Sequence, residues 1–468
     1  MKNPTYFKEF AQYSLLSVLG MIGLSCYILA DTYFISKGLG ASGLAALNLA
    51  IPVYSFINGC GMMLGMGGAS KFAMCKGEYA IAQRESQGNN NHGNGNKEKS
   101  NKEKGMKQVN RIFTNTVYIA VIVSLLFMLA GLFFSGKITT ILGADTEIFT
   151  MTNVYLKVLL LFAPAFVLND ILICFVRNDG NPRLSMMAML GGSFCNIILD
   201  YVFIFPCNMG MFGAVFATGI APIISMLILS RHWISGNNEF HLVIGRPHLE
   251  TIRSISAIGL PSFITELSSG IVIIAFNTII LSLAGNVGVA AYGVVANLSL
   301  VMVAIYTGIA QGMQPLVSRA YGYGDTFKMK QVLHYAVTTV LVLSGLIYLA
   351  IFVLADPIAG IFNSEHNVQL QEFATYGLKL YFTAVGFVGF NIIMSMYFAA
   401  IDKALPAQVI SLLRGLVLIL PMAFVLSTLG GITGVWLAFP VTEGMVAGIV
   451  VFLYDTVIKK AGGKPWER

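Results

Sequence analysis

Apolar runs long enough to cross a lipid bilayer recur along the whole of this 468-residue sequence. A helix of about 20 predominantly apolar residues spans the hydrocarbon core, so each run predicts a transmembrane helix. The composition agrees, since 56% of the residues are hydrophobic and 11% are charged, as in a polytopic membrane protein and not a globular enzyme. About twelve such runs lie near residues 11–36, 44–70, 112–134, 154–176, 184–206, 210–232, 254–284, 290–313, 331–355, 372–399, 406–428 and 432–458.

The basic residues are distributed unevenly between the loops on the two sides of the membrane. With both termini placed on one side, only about four of the 29 Lys and Arg residues fall on the other: Lys37, Lys137, Lys157 and Lys379. Cytoplasmic loops carry the excess of Lys and Arg, so both termini are expected in the cytoplasm. Topology also explains the net charge of +7 without a nucleic-acid partner. The N-terminus lacks a cleavable signal pattern, and we expect a multi-pass plasma-membrane protein.

The two halves of the chain repeat each other. At one offset of about 245, the residues Gly40, Gly43, Ala45, Ala46, Gly67 and Gly77 match Gly285, Gly288, Ala290, Ala291, Gly312 and Gly322. Later matches, such as Gly213 with Gly434, have an offset near 222. Six helices per half is an even number, so both halves start on the same side. We therefore expect two pseudo-symmetric six-helix lobes, related by an axis along the membrane normal.

The repeat and the composition together divide the chain. The first lobe is expected at 1–235, a cytoplasmic linker at 236–253 and the second lobe at 254–468. The change of offset places an insertion in the first lobe, and residues 86–107 are polar and of low complexity. This segment is expected to be a disordered cytoplasmic loop.

One apolar stretch, residues 191–218, carries polar side chains of a kind that usually have a function within a membrane. Asn196 and Asp200 are spaced i, i+4 and share one helix face, and Thr218 follows a short break in the stretch. If the two runs form a helical hairpin, all three lie at similar depth, roughly 10 Å from one bilayer face. Asp31, late in the first run, is expected at the same depth. The four residues could converge in one cavity toward the outer leaflet.

This cluster has two interpretations. Two carboxylates close together in a low dielectric do not both ionise freely, so the cluster suits proton exchange, or a sodium ion held by carboxylate, amide and hydroxyl oxygens. Alternatively, Asp31 and Asp200 are structural and are tied to backbone or hydroxyl groups. The second half favours function, because Phe276 and Phe439 stand where the repeat places Asp31 and Thr218.

Three further acids fall within the predicted spans and are secondary candidates. Asp170 lies near the inner end of the fourth span, close in sequence to Arg177 and Asp179, where a structural ion pair or hydrogen bond is the better interpretation. Glu266 lies early in the seventh span and Glu443 in the twelfth. Either could contact cations that arrive from the cytoplasm.

Several segments resemble bacterial-type multidrug and toxic compound extrusion (MATE) transporters. They are ADTYFISKGLGASGLAALNLAIP, RNDGNPRLSMMAMLGGSFCNIILDYVFIF followed by GMFGAVFATGIA, and, in the second half, GLPSFITEL and YTGIAQGMQPLVSRAYG. The resemblance covers nearly all of the chain except the insertion. It implies a V-shaped, twelve-helix, two-lobe antiporter that expels organic cations in exchange for H⁺ or Na⁺. The family's coupling residues map onto Asp31, Asn196, Asp200 and Thr218.

The expected function is therefore secondary active multidrug efflux by alternating access, a route to antibiotic resistance. Substrates would be small organic cations or other amphipathic drugs, exchanged for H⁺ or Na⁺. We expect no cofactor beyond the coupling ion and no metal site other than a sodium site at the four residues. The protein is expected to be a monomer in the lipid bilayer.

Other functional classes have less support. A flippase for lipids or lipid-linked oligosaccharides is the main alternative, but it would need basic or polar groups to hold phosphates, whereas the spans hold acids and almost no Lys or Arg. A channel or sensor does not explain the two-lobe repeat. An enzyme is not expected, because the sequence has no metal cluster, nucleophile elbow or phosphate loop.

Overall fold

The computed structural model describes residues 4–88, 95–363 and 367–460, and all regular elements in these ranges are helical. In chain order they are α1 (Pro4–Gly88), α2 (Gly95–Ile141), α3 (Phe149–Leu161), α4 (Ala163–Asn178), α5 (Pro182–Ile204), α6 (Gly210–Leu229), α7 (Arg231–Ile234), α8 (Leu249–Gly322), α9 (Thr326–Phe362), α10 (Val368–Tyr381), a 3₁₀ turn (Phe382–Ala384), α11 (Val385–Ala400), α12 (Ala404–Leu412), a π turn (Leu413–Val417) and α13 (Ile419–Lys460).

Three glycines divide α1, α8 and the continuous run from α12 to α13 into two membrane spans each. Gly40 in α1, Gly285 in α8 and Gly431 in α13 have φ values of 68°, 61° and 57° and leave the helical conformation. Glycine adopts positive φ without the steric penalty that other residues meet. Within the described ranges, eight helices are long and apolar enough to cross a membrane, and the bent pair α3–α4 counts as a ninth. With the three divisions, the described residues account for twelve crossings, which confirms the predicted fold class.

The repeat extends to the backbone conformation. Gly40 and Gly285 are one of the pairs matched at the offset of about 245. Gly210, with φ of 59°, opens α6 and is related to Gly431 by the same offset that relates Gly213 to Gly434. The chain therefore breaks its helices at equivalent positions in both halves.

The hydrophobic residues form two large cores. One holds residues between Ile35 and Ile255, where the ring of Phe240 contacts the rings of both Phe72 and Phe113. The other holds mainly residues between Ile258 and Val450. Two cores agree with two lobes, while the boundaries at 235 and 254 remain predictions.

The predicted insertion differs from its expectation. α1 continues to Gly88 and α2 begins at Gly95, so residues 86–107 are helical rather than disordered wherever the structure describes them; residues 89–94 lie outside the described part. Lys and Glu dominate the second part of the segment, and both have high helix propensity. Low complexity therefore does not exclude helix in this segment.

The two lobes touch along their backbones on one side of the bundle. Twelve crossings return the chain to the side on which it began, so Pro4 and Lys460 lie together on what we call the terminal side. There, Gly259 lies against the backbone oxygen of Met63, and Gly77 packs against Gly322, its own equivalent in the repeat. A pseudo-twofold axis therefore passes between Gly77 and Gly322, as at a twofold dimer interface.

Polar side chains seal the same contact. Asn178 Nδ2 donates to Gln314 Oε1 (3.0 Å), and Gln314 Nε2 donates to Ser70 Oγ (2.8 Å); all three residues are buried. Nearer the rim, Lys71 pairs with Asp402 at 3.1 Å. The structure is therefore closed on the terminal side.

The connection between the lobes lies along α2. Between α7 and α8 the chain is not helical, and its backbone donates to side chains of α2: His241 N to Asn110 Oδ1 (2.9 Å), Val243 N to Thr114 Oγ1 (3.0 Å) and His248 N to Asn115 Oδ1 (3.0 Å). A connection without helix or strand partners thus satisfies its backbone on the first lobe.

Asp179 anchors the start of this connection. Its carboxylate accepts hydrogen bonds from Lys76 Nζ (2.9 Å), His232 Nε2 (2.9 Å) and the backbone N–H of Glu239 (2.8 Å). Burial alone would raise the pKa of Asp179, but the hydrogen bond from His232, the charge of Lys76 and the Glu239 N–H outweigh burial and hold it below its ordinary value.

Asp179→Asn is expected to lower the stability of the protein by about 2 kcal/mol, because the buried His232 loses its anionic partner and Lys76 keeps only Glu239. A carboxyl whose folded-state pKa lies below its unfolded value stabilises above the unfolded pKa, and its contribution is lost as pH falls through the folded pKa. The deficit should be full at neutral pH and shrink below about pH 4. Thermal unfolding in detergent micelles measures it, with the exposed Glu372→Gln as control. Equal unfolding temperatures at neutral pH would contradict the anchoring role.

Candidate functional site

The first half of α1 lies parallel to α5. Glycines at the contact admit the partner side chains: Gly20 faces Met189, Gly23 faces Leu190, and Gly38 faces Ile204. Residue numbers increase together along both helices. Asp31 is therefore level with the last turns of α5, where Asn196 and Asp200 lie.

Asn196 links the other two predicted residues. With its amide oriented so that both ends are satisfied, Asn196 donates from Nδ2 to Asp200 Oδ2 (3.1 Å) and accepts from the backbone N–H of Thr218 (3.3 Å). The Thr218 hydroxyl donates to the Ala214 carbonyl (3.1 Å). The helical hairpin of α5 and α6 thus brings the three residues to one depth, as their spacing predicted.

Asp31 and Asp200 complete the site. Both are buried, and Oδ1 of each has no hydrogen-bond partner among the described residues. They are close enough for their charges to repel each other. An unsatisfied pair of buried carboxylates calls for a proton or a cation. Within the described part of the chain, no three His, Cys, Asp or Glu side chains form a group that could hold a metal ion.

Three tyrosines surround this site, and the sequence analysis did not single them out as site residues. The hydroxyls of Tyr27 and Tyr54 lie 2.7 Å apart. Tyr155, on α3, is buried beside Thr218 and interacts electrostatically with both aspartates. Tyr27, Tyr54 and Thr218 also line a cavity of about 70 Å³, which is large enough for water. A tyrosine within an apolar run was the only signal, and packing explains such residues equally well.

Asp170 does not make the ion pair that its sequence neighbours suggested. It packs against Gly61 and lines the same 70 Å³ cavity, and its Oδ2 has no hydrogen-bond partner among the described residues. Arg177 instead donates to Gln311 Oε1 at 2.6 Å across the lobe contact. Asp170 and Arg177 are seven positions apart along α4, which separates them by roughly 10 Å along the helix axis and is too far for a direct bond.

Glu266 lies between the lobes. Asn58 Nδ2 donates to its Oε2 (3.3 Å), and its charge interacts with that of Asp170. Glu266 lines a central cavity of about 250 Å³, together with the thioethers of Met21, Met62 and Met396. Glu266 is therefore apart from Asp31 and Asp200, on the wall of a separate and larger space.

Glu443 is held by an ion pair within the second lobe. Arg414 donates to its Oε1 from Nη2 (2.9 Å) and Nε (3.2 Å), and Asn391 Nδ2 donates to its Oε2 (2.7 Å). The sequence analysis named Glu443 as an acid that could contact cations and did not single out Arg414. The structure places Glu443 in the second lobe, in an ion pair with Arg414.

The comparisons with known proteins agree with this architecture. The model of the MatE family matches residues 102–202 and 261–425, more than half of the chain. The chain belongs to the MatE family. This family consists of MATE transporters, which are membrane proteins and not enzymes.

Curated relatives align over almost the full length of this MATE transporter. The multidrug export protein MepA of Staphylococcus aureus (strain MRSA252) is 26% identical over 451 residues, 95% of this chain and 92% of MepA. The MepA of Staphylococcus saprophyticus is 25% identical over 458 residues, 97% and 95% of the two chains.

Solved structures share the fold. The outward-facing conformation of a multidrug resistance MATE family transporter of the MOP superfamily aligns with a TM-score of 0.85 at 23% identity, over 97% of this chain and 96% of that one. A mutant of the Vibrio cholerae MATE transporter VcmN gives 0.85 at 20% identity, over 98% of each chain. At such identities the likeness concerns the fold alone.

Proposed function

We propose that this MATE transporter is a multidrug exporter of amphipathic organic cations, exchanged for H⁺ or Na⁺. The pair Asp31 and Asp200 carries the proposal, because these buried carboxylates repel each other and each keeps an oxygen without a hydrogen bond. A proton or a sodium ion relieves that repulsion. The relatives named as multidrug export proteins support drugs as the cargo.

The same groups suit either ion. A proton would bridge or neutralise the two carboxylates. A sodium ion would bind oxygen ligands, which Asp31, Asp200 and Thr218 supply at one depth. Asn196 orients Asp200 for both cases, since its amide holds Oδ2 and leaves Oδ1 free.

The substrate would bind in the central cavity. Its wall combines the thioethers of Met21, Met62 and Met396 with the carboxylate of Glu266. Polarisable thioethers adapt to flat apolar bodies of different shape, and a carboxylate attracts a cationic group. Such a cavity suits several amphipathic cations rather than one specific ligand.

Transport would proceed by alternating access of the two lobes. The Lys and Arg distribution assigns the terminal side to the cytoplasm, so the closed contact at Gly77 and Gly322 belongs to an outward-facing monomer in the plasma membrane. Ions reach Asp31 and Asp200 from outside. Their binding changes the charge of the lobe, rearranges the first half of α1 and weakens the hold on a cation. Exchange follows because ion and substrate favour different states.

A lipid flippase is the second candidate, and Arg414 is the observation in its favour. Arg414 lines the central cavity, where a flippase needs basic groups for phosphates. However, the described lining of the cavity contains no other Lys or Arg, and with Glu266 and the Glu443 partner of Arg414 nearby the space lacks the excess of positive charge that phosphates need. Drug export remains the better supported function.

Reconstituted liposomes loaded with a fluorescent organic cation test the proposal. We expect dye movement under an imposed pH gradient or an imposed Na⁺ gradient, applied one at a time, and the effective gradient names the ion. No movement under either gradient, with folded protein confirmed, would contradict cation exchange. Exchange of a fluorescent lipid between leaflets of the same liposomes would then identify a flippase.

A further inference from the structure

The second lobe contains a cavity of about 150 Å³ that none of the four coupling residues lines. Helix α8, the π turn and α13 all contribute to its wall. Thr265, Ser269 and Arg414 line both this cavity and the central one, so the two spaces adjoin. A substrate in the central cavity can therefore extend one end toward Arg414.

Arg414 keeps donor capacity on the cavity side. Its Nε and Nη2 point to Glu443 Oε1, while its Nη1 makes no hydrogen bond within the described part of the chain. Asn391 occupies the other oxygen of Glu443. The carboxylate thus accepts three hydrogen bonds, whereas a guanidinium has five N–H donors and retains several for a ligand.

The π turn gives Arg414 this position. Residues 413–417 form one wide turn between α12 and α13, a rare feature that is frequent at functional sites. Gly415, in the same turn, lies against the side chain of Ser268 on α8. This packing and the ion pair with Glu443 fix the direction of the Arg414 side chain, of which 12% is exposed.

We infer that Arg414 is a binding subsite for a carboxylate on the substrate, next to an aromatic wall that receives a planar body. Tyr381 and Phe439 stack at 4.4 Å with 7° between their planes, and both line this cavity with Tyr292. A guanidinium binds a carboxylate through paired hydrogen bonds and stacks well on flat groups. The inference rests on the proposed export function, and it assigns one determinant of substrate choice to the second lobe.

A matched pair of dyes tests the inference directly. A rhodamine with a free carboxylate and its methyl ester have the same planar cation and differ only in the acid group. Binding of each dye to purified protein is measured by fluorescence polarisation, which does not depend on transport. Arg414→Gln is expected to weaken binding of the acid about tenfold and to change binding of the ester less than about twofold.

Glu443→Gln is the matched variant and is expected to change the affinity for the acid dye in the opposite direction. Removal of the competing carboxylate frees Arg414, so the acid should bind at least about threefold more tightly while the ester does not change. Because Arg414→Gln leaves Glu443 without its cation and could unfold the lobe, the double variant Arg414→Gln/Glu443→Gln removes both charges together. It should lose acid selectivity as the single variant does.

Equal weakening of both dyes, no change in either, or wild-type protein that does not bind the acid would overturn the inference. Gradient-driven movement of the ester dye in liposomes reports on the proposed export separately. Movement of the ester with no selectivity at Arg414 would overturn the subsite alone. Selective binding without any gradient-driven movement would overturn export and leave the subsite in place.

Discussion

Asp200→Asn is expected to reduce gradient-driven export about 5- to 150-fold, the range of a coupling free energy of about 1–3 kcal/mol. Asparagine keeps the shape and can still meet Asn196, but it has no charge to change when the ion binds. Ion binding then no longer changes the relative free energies of the two conformational states. Dye movement in liposomes under the effective gradient measures the loss.

Two further variants sharpen this test. Asp31→Asn should have the same effect, and the double variant should be no worse than either single variant, because interacting residues are not additive. Glu372→Gln removes an exposed acid and should export normally. Full export by Asp200→Asn, with unchanged ion dependence, would contradict a role of Asp200 in ion coupling.

Gly259→Val is expected to prevent closure on the terminal side and to reduce export by more than about tenfold. A Cβ at this position would overlap the backbone oxygen of Met63, which cannot rotate away as a side chain can. Overpacking of this kind costs about 1–3 kcal/mol, which shifts a two-state equilibrium by about 5- to 150-fold. The lobes should therefore rest open on the terminal side.

A native thiol reports this change. Cys174 is buried at the lobe contact and lies next to Met66 and Arg177. In Gly259→Val protein, Cys174 should react with a water-soluble maleimide much faster than in wild type. Gly345→Val is the control, since nothing lies within 4 Å of a Cβ there. Unchanged labelling of Cys174 in a folded Gly259→Val variant would contradict the closure model.

The sequence predicted features that depend on spacing along one helix or on the repeat. The i, i+4 spacing of Asn196 and Asp200, and the short break before Thr218, were enough to place three side chains at one depth, where the structure has them. The repeat likewise paired Gly40 with Gly285, although it did not show that the backbone leaves the helix at both.

Contacts between helices that are distant in the sequence could not be predicted from it. Arg414 and Glu443 are 29 residues apart on different spans, and nothing in either run indicates that they face each other. The same limit explains Asp170. Its nearest basic residue in the sequence is Arg177, but seven positions along α4 separate the two by roughly 10 Å along the helix axis. Pairing across a bundle depends on how helices rotate about their axes, and apolar runs constrain that rotation weakly.

The connection along α2 changes how the lobes can move. A flexible linker would let the second lobe translate relative to the first. Because Asn110, Thr114 and Asn115 hold its backbone, the segment travels with the first lobe. The backbone that is free to rotate between the lobes is therefore limited to His248, the extended residue just before α8, with φ of −105° and ψ of 105°. The lobes are thus joined by a hinge, and their relative displacement is smallest beside it and grows toward the far end of the bundle.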